Sequence, residues 1–324
     1  MSCDNFDQTG IFVVEPTSKH THSFVLLHGP GSDGKKFGQK LLDTGISSDG
    51  RKLNEIFPGA RFVFPTAEER ESNAFPRLKL ALWFDLESFS SPWRYTDTQL
   101  EGLEESAAEI MASINVEIRQ VPANNVIIGG WSLGCAAALS YLLTRESRLG
   151  GFIGMSGWLP LQPDIQKKLK PSKELVDISN PFGPDDDVSY ITEADPPKVD
   201  PSETKTVYSD SDTDRSDPED EWSYNDNSVN VIRLYRDLIG DDSRDVKNRD
   251  FTSITTPVFL GHGDSDEKID CSYGENASIA LESLGYDVTW KKYKGQGHGY
   301  KIPDEIDDIV EFVQQKVGWG QKNS

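Results

Sequence analysis

Short apolar runs alternate with helical periodicities along this chain. Ile11 to Pro16, Ser23 to Leu27 and Arg61 to Phe64 are rich in Val, Phe and Leu and predict strands. Asn125 to Gly129, Gly151 to Met155 and Pro257 to Leu260 predict buried strands, and Val288 to Tyr293 alternates as a strand does. Between them, Leu100, Leu103, Ala107, Ile110, Met111 and Ile114 recur at helical spacing, with Thr96 and Gln99 placed as a capping box. Leu133 to Leu143 predicts a small-residue helix, and Ser278 to Leu284 ends one at Gly285. Ile306, Ile309, Val310, Val313 and Val317 mark a last helix. Strands alternating with helices predict an α/β fold, a mostly parallel central sheet with helices on both faces.

Two stretches break this rhythm. Residues 66–93 lack a period and hold Trp83, Phe84 and Trp93; an irregular stretch that long is more often functional than idle. From 164 to 250 the pattern fails again, and 201–227 is dominated by Ser, Asp, Glu and Thr. Such composition reads as a solvated, largely disordered acidic insertion within one domain of residues 1–324. Within it, Val229 to Ile239 has the spacing of a short amphipathic helix, which as a cap would cover the site. Ser209, Ser211 and Thr213 stand as phosphorylation candidates.

The chain has 324 residues, 36% of them hydrophobic, and a net charge of -21. That charge argues against a nucleic-acid ligand, which needs a basic face to neutralise phosphates. It argues equally against electrostatic docking on anionic lipid. Three cysteines, Cys3, Cys135 and Cys271, make no disulfide framework and suit a reducing compartment. No secretory signal and no membrane-spanning run is visible, so the expected place is the cytoplasm, with the nucleus as a second compartment. Cys3 lies near the terminus, where acylation is one reading and a free thiol the commoner one.

Gly130-Trp131-Ser132-Leu133-Gly134 is a G-x-S-x-G pentapeptide between an apolar strand and an Ala-rich helix. Chance produces it in about one chain in ten of this length, so the strand-to-helix context carries the weight. There a serine occupies a tight, strained turn, the glycines relieve crowding, and the helix start offers amides to a developing oxyanion. A serine hydroxyl needs a base to take its proton. In this arrangement the acid and then the histidine follow the serine. Of five histidines only His262 and His298 do so, and an acid between serine and base leaves His298. The acid is Asp264 or Asp266, both in the loop GHGDSDEKID. No Cys/His pairing at zinc spacing and no phosphate loop is present, so no metal and no cofactor is expected.

These residues together resemble the acyl-protein thioesterase family, also described as the phospholipase/carboxylesterase family of α/β-hydrolases. The matching blocks are LLHGPGSDG (26–34), ALWFDLES (81–88), NVIIGGWSLGCAAALSYLL (125–143), GMSGWLPL (154–161), VFLGHGDSDEKID (258–270) and KGQGHGY (294–300). They occur in the family's order and leave out roughly 164–250. The resemblance implies a triad of Ser132, Asp266 and His298. It implies hydrolysis of acyl thioesters on acylated proteins, of lysophospholipids or of small esters, with at most transient membrane contact. Trp83, Phe84 and Trp158 would line the acyl site, core packing being the equal alternative. Two departures stand out. Leu133 replaces the family's Gln, leaving its backbone N–H as an oxyanion donor. Pro30 stands where the other donor belongs and has no N–H. Gly31, free to adopt conformations closed to other residues, is the expected substitute. A catalytically weak, lipid- or partner-binding relative is the alternative of another class.

Overall fold

Alternation along the second strand sorts its side chains onto two cores. Phe24 and Leu26 enter one cluster, Val25 and Leu27 the other, as the two-residue period of a strand requires. This strand, β2 (His22–Leu27), lies inside a seven-stranded sheet. The computed structural model describes residues 10–94, 97–168, 227–238 and 252–319.

The other sheet strands are β1 (Phe12–Val14), β3 (Ala60–Phe64), β6 (Val126–Trp131), β7 (Gly151–Met155), β8 (Val258–Gly263) and β9 (Val288–Tyr293). Their order is β1-β3-β2-β6-β7-β8-β9. Every pairing is parallel except β1 with β3. Strands β7 and β8, which flank the predicted insertion, pair directly.

One face of the sheet is covered by α3 (Asp97–Ile118), α4 (Leu133–Thr144), α5 (Gln162–Lys168), α6 (Asn227–Leu238) and α7 (Cys271–Leu284). The opposite face carries α1 (Gly34–Thr44), the single turn α2 (Leu53–Ile56) and α8 (Asp304–Phe312). All twelve residues of α4 are buried, which explains their small size: the helix is enclosed on every side. Helix α7 starts on Asp270, whose side chain accepts from the Ser272 N–H, and stops at Gly285 with φ 96°.

Several expectations needed correction. The irregular stretch 66–93 contains a hairpin of β4 (Glu69–Glu71) and β5 (Lys79–Ala81). Its side chains are mostly exposed, so no apolar alternation advertises it. Helix α1 was not expected either; Asp33 caps it, accepting from Lys36 N–H at 2.7 Å. The side chain of Gln99 does not turn back as a capping box requires. It is buried and donates to the Pro92 carbonyl at 2.6 Å; Thr96 lies outside the described residues.

The helix expected at Val229–Ile239 forms as α6. Val229, Val231, Ile232 and Tyr235 are each at most 1% exposed. Burying such a side chain contributes roughly 1.5–3 kcal/mol, and the Tyr235 hydroxyl pairs with Ser140 Oγ at 2.7 Å. This helix is therefore part of the α4 core and not a solvated segment. The acidic run 201–226, with Ser209, Ser211 and Thr213, lies outside the described residues, as does Cys3.

Candidate active site

Strand β6 meets α4 at Ser132 through an abrupt turn. Ser132 has φ 57° and ψ -124°, a region that costs a non-glycine residue about 1–3 kcal/mol and tends to occur at functional sites. Its N–H donates to the Met155 carbonyl at 2.9 Å, which locks the turn to β7. The glycines on either side answer a steric demand. A Cβ on Gly130 would stand 2.7 Å from the Leu27 carbonyl oxygen, and one on Gly134 only 2.4 Å from it. The helix start thus closes on the end of β2 because neither position has a side chain.

His298 comes from the loop between β9 and α8. Its Nε2 lies 3.0 Å from Ser132 Oγ and its Nδ1 lies 2.8 Å from Asp266 Oδ2. The carboxylate can only accept, so Nδ1 carries the proton and Nε2 presents a lone pair to the hydroxyl. The loop is tethered at three points. Ser156 Oγ donates to the Gly299 carbonyl at 2.8 Å, Ser265 N–H to the Gln296 carbonyl at 3.0 Å, and Gly295 N–H to Asp264 Oδ1 at 2.6 Å. The Trp131 ring lies 5.0 Å, centroid to centroid, from the imidazole.

The two aspartates left open by the sequence part company here. The Asp264 carboxylate serves the loop backbone and Ser265. The Asp266 carboxylate faces His298. Its Oδ1 accepts from the N–H groups of Lys268 and Ile269 at 2.9 and 3.0 Å, and its Oδ2 also meets His262 Nε2 at 3.1 Å. Burial pushes the Asp266 carboxyl upward, but the hydrogen bonds from His262, His298, Ile269 and Lys268 outweigh it and hold the group well below the usual carboxylate range.

The oxyanion donors fare differently. Leu133 opens α4, and no described acceptor takes its N–H. The Gly31 N–H, expected as the second donor, instead donates to the Ala81 carbonyl of β5 at 3.1 Å. Gly31 does adopt the left-handed backbone that its lack of a side chain permits, φ 66°, but that geometry serves the hairpin. The loop before it is rigid. His28 donates from Nδ1 to the Gly29 carbonyl at 2.7 Å and accepts the Ala67 N–H on Nε2 at 3.0 Å. Burial lowers the affinity of this imidazole for a second proton, against the pull of the Gly29 carbonyl and of Asp33.

The expected acyl-site residues lie deeper than a groove wall. Trp83, Phe84 and Trp158 are at most 1% exposed and belong to the larger core. Trp83 Nε1 donates to the His28 carbonyl at 2.9 Å, so its visible task is to hold the loop that carries Pro30. Sequence reasoning missed Ser156, and it set His262 aside as a base without giving it another role. The signal for Ser156 was its place just beyond β7; its φ of 49° became visible only in the fold.

A hydroxyl, an imidazole and an ionised carboxylate therefore stand in one hydrogen-bonded line beside a helix N-terminus. That arrangement can activate the hydroxyl for acyl transfer. Among the described residues no group of His, Cys, Asp and Glu could hold a metal ion, and no helix is long and apolar enough to cross a membrane.

The phospholipase/carboxylesterase family model matches residues 8–194 and 243–317. The chain is 24% identical over 310 residues to acyl-protein thioesterase 1 of Gibberella zeae, with 94% of each chain covered. It is 28% identical over 301 residues to the protein of that name from Yarrowia lipolytica, covering 92% of this chain and 93% of the other. In fold it is similar to acyl-protein thioesterase 2 of Zea mays, with a TM-score of 0.58 at 20% identity, covering 95% of this chain and 99% of that one. The chain belongs to the phospholipase/carboxylesterase family of α/β-hydrolases.

Proposed function

We propose that this hydrolase cleaves acyl thioesters on acylated proteins, with Ser132 as nucleophile, His298 as base and Asp266 as the carboxylate that orients it. The continuous contact from Ser132 Oγ through the imidazole to Asp266 Oδ2 carries the reading. Relatives named for acyl-protein thioesterase activity, matched over nearly their whole length, support the substrate class; lysophospholipids and small esters would follow the same chemistry.

Ser132 Oγ attacks the acyl carbonyl carbon while its proton passes to His298 Nε2. The new oxyanion accepts the Leu133 N–H. The carbon–sulfur or carbon–oxygen bond then breaks, and the leaving group takes the proton from Nε2. Water attacks the acyl-Ser132 ester with the same imidazole as base, releasing the carboxylic acid and restoring the serine. A fluorophosphonate probe tests nucleophile activation without knowledge of the natural substrate. Wild type is expected to be labelled at Ser132; absence of labelling at neutral pH would sink the reading.

The donor deficit predicts a slow enzyme. With no N–H on Pro30 and that of Gly31 engaged by Ala81, one strong donor remains where such sites use two. One missing donor costs about 10²–10³ in kcat. Replacing Pro30 by Leu adds an N–H at that position, and we expect kcat for a p-nitrophenyl ester to rise by about 10-fold or more. A rate unchanged or lowered in a Pro30→Leu protein of wild-type Tm would show that the loop does not limit catalysis.

A further inference from the structure

We propose that His262 is a positioning residue for this hydrolysis, acting through Asp266; the proposal rests on the reading of Asp266 as the orienting carboxylate. His262 sits in β8, is 1% exposed, and directs Nε2 at two acceptors at once. These are Asp266 Oδ2 at 3.1 Å and the Ile269 carbonyl at 3.0 Å. A carbonyl oxygen cannot donate, so Nε2 must carry a hydrogen. Nδ1 is buried and has no partner among the described residues. The hydrogen that the ring directs at Asp266 and the Ile269 carbonyl therefore stands on Nε2.

The ring has a dedicated slot. A Cβ on Gly274 of α7 would lie 2.6 Å from His262 Nδ1, and the Trp290 ring of β9 closes another side. The imidazole therefore has little freedom to turn its Nε2 away.

The consequence falls on Asp266. Its Oδ2 is shared between two imidazoles, His298 Nδ1 at 2.8 Å and His262 Nε2 at 3.1 Å, while Oδ1 is held by two backbone N–H groups. The carboxylate cannot rotate, and its negative charge is divided between the two rings. Of the other ionisable side chains on its own loop, Asp264 accepts from the Gly295 N–H and Asp270 from the Ser272 N–H, and among the described residues neither Glu267 nor Lys268 bonds to the carboxylate through its side chain. Without His262 the whole charge of Oδ2 would fall on His298 Nδ1–H, while the carboxylate, with one donor fewer to fix it, would orient that ring less firmly. The acid limb of kcat/KM would then move up and kcat would fall.

The test compares His262→Phe and His262→Gln, each alone and in an Asp266→Asn background, by kcat and by the pH profile of kcat/KM. Phe fills the slot without a donor; Gln can return an N–H to the position of Nε2. We expect His262→Phe to lower kcat about 10-fold and to move the acid limb of kcat/KM up by about half a pH unit. Gln should restore most of both, and in the Asp266→Asn background the Phe substitution should change kcat by less than about 3-fold. An acid limb unmoved by Phe, or an equal loss in both backgrounds, would reduce His262 to packing. A single Asp266→Asn protein with wild-type kcat would instead remove the triad reading itself, and this proposal with it.

Discussion

Ser132→Ala is expected to lower kcat for a p-nitrophenyl ester by on the order of 10⁶-fold, with the fold intact. The loss is large because the three side chains act as a unit. His298 Nε2 lies 3.0 Å from the hydroxyl, where it takes the Ser132 proton and returns it to the leaving group. Without Oγ there is no acyl-enzyme, and the remaining Leu133 N–H can only help water attack directly. The protein should not suffer, because among the described residues Ser132 Oγ pairs with the imidazole alone, while the backbone bonds that hold the turn remain. Removing the hydroxyl also leaves the strained backbone at φ 57° unchanged, so Tm should move little. A variant that kept more than about a hundredth of wild-type kcat would exclude Ser132 as the nucleophile.

Asp266→Asn is the second large effect, expected at about 10⁴-fold in kcat with KM little changed. The amide matches the carboxylate in shape but brings two hydrogens. One side of it must still accept from Lys268 and Ile269 N–H, as Oδ1 does now. That places its NH₂ where Oδ2 meets both imidazoles, so it would donate to His298 Nδ1 and force that ring into the tautomer with hydrogen on Nε2. Such a ring cannot accept the Ser132 proton. The same substitution reports on stability. Because Asp266 is held well below the ordinary carboxylate range, it stabilises the fold fully above its unfolded value near 3.8. That contribution is lost as pH falls through the depressed folded value. Wild type should therefore lose Tm on acidification in this range more steeply than Asp266→Asn, as melts at successive pH values would show. Equal kcat in the two proteins would dismiss Asp266 from the site.

Much of the fold was legible because burial imposes periods on the chain. Each predicted sheet strand formed within three residues of its expected ends, β8 running on from Leu260 to Gly263, and the long helices followed their apolar spacing. What escaped carried few apolar positions. The β4–β5 hairpin exposes most of its side chains, and α1 shows only Phe37, Leu41 and Leu42 on a lysine-rich background. The site divides in the same way. The pairing of Ser132 with His298 was readable from motif and chain order. Between Asp264 and Asp266, two residues apart in one turn, chain order alone did not choose and the family resemblance pointed to Asp266; backbone geometry sends the Asp264 carboxylate to Gly295 N–H and that of Asp266 to the imidazole.

By itself the sequence determined the layered α/β architecture, the glycine-framed serine turn and the missing N–H at Pro30, because each follows from local covalent chemistry or from the spacing of apolar side chains. Only the tertiary structure decided that the Gly31 N–H is spent on Ala81, that Trp83 braces the His28 loop, and that His262 shares the Asp266 carboxylate. Those are contacts between segments distant along the chain or between neighbours in a tight turn. Which donor reaches which acceptor there depends on how strands β2, β5, β8 and β9 come to lie against one another, and no period along the chain encodes that.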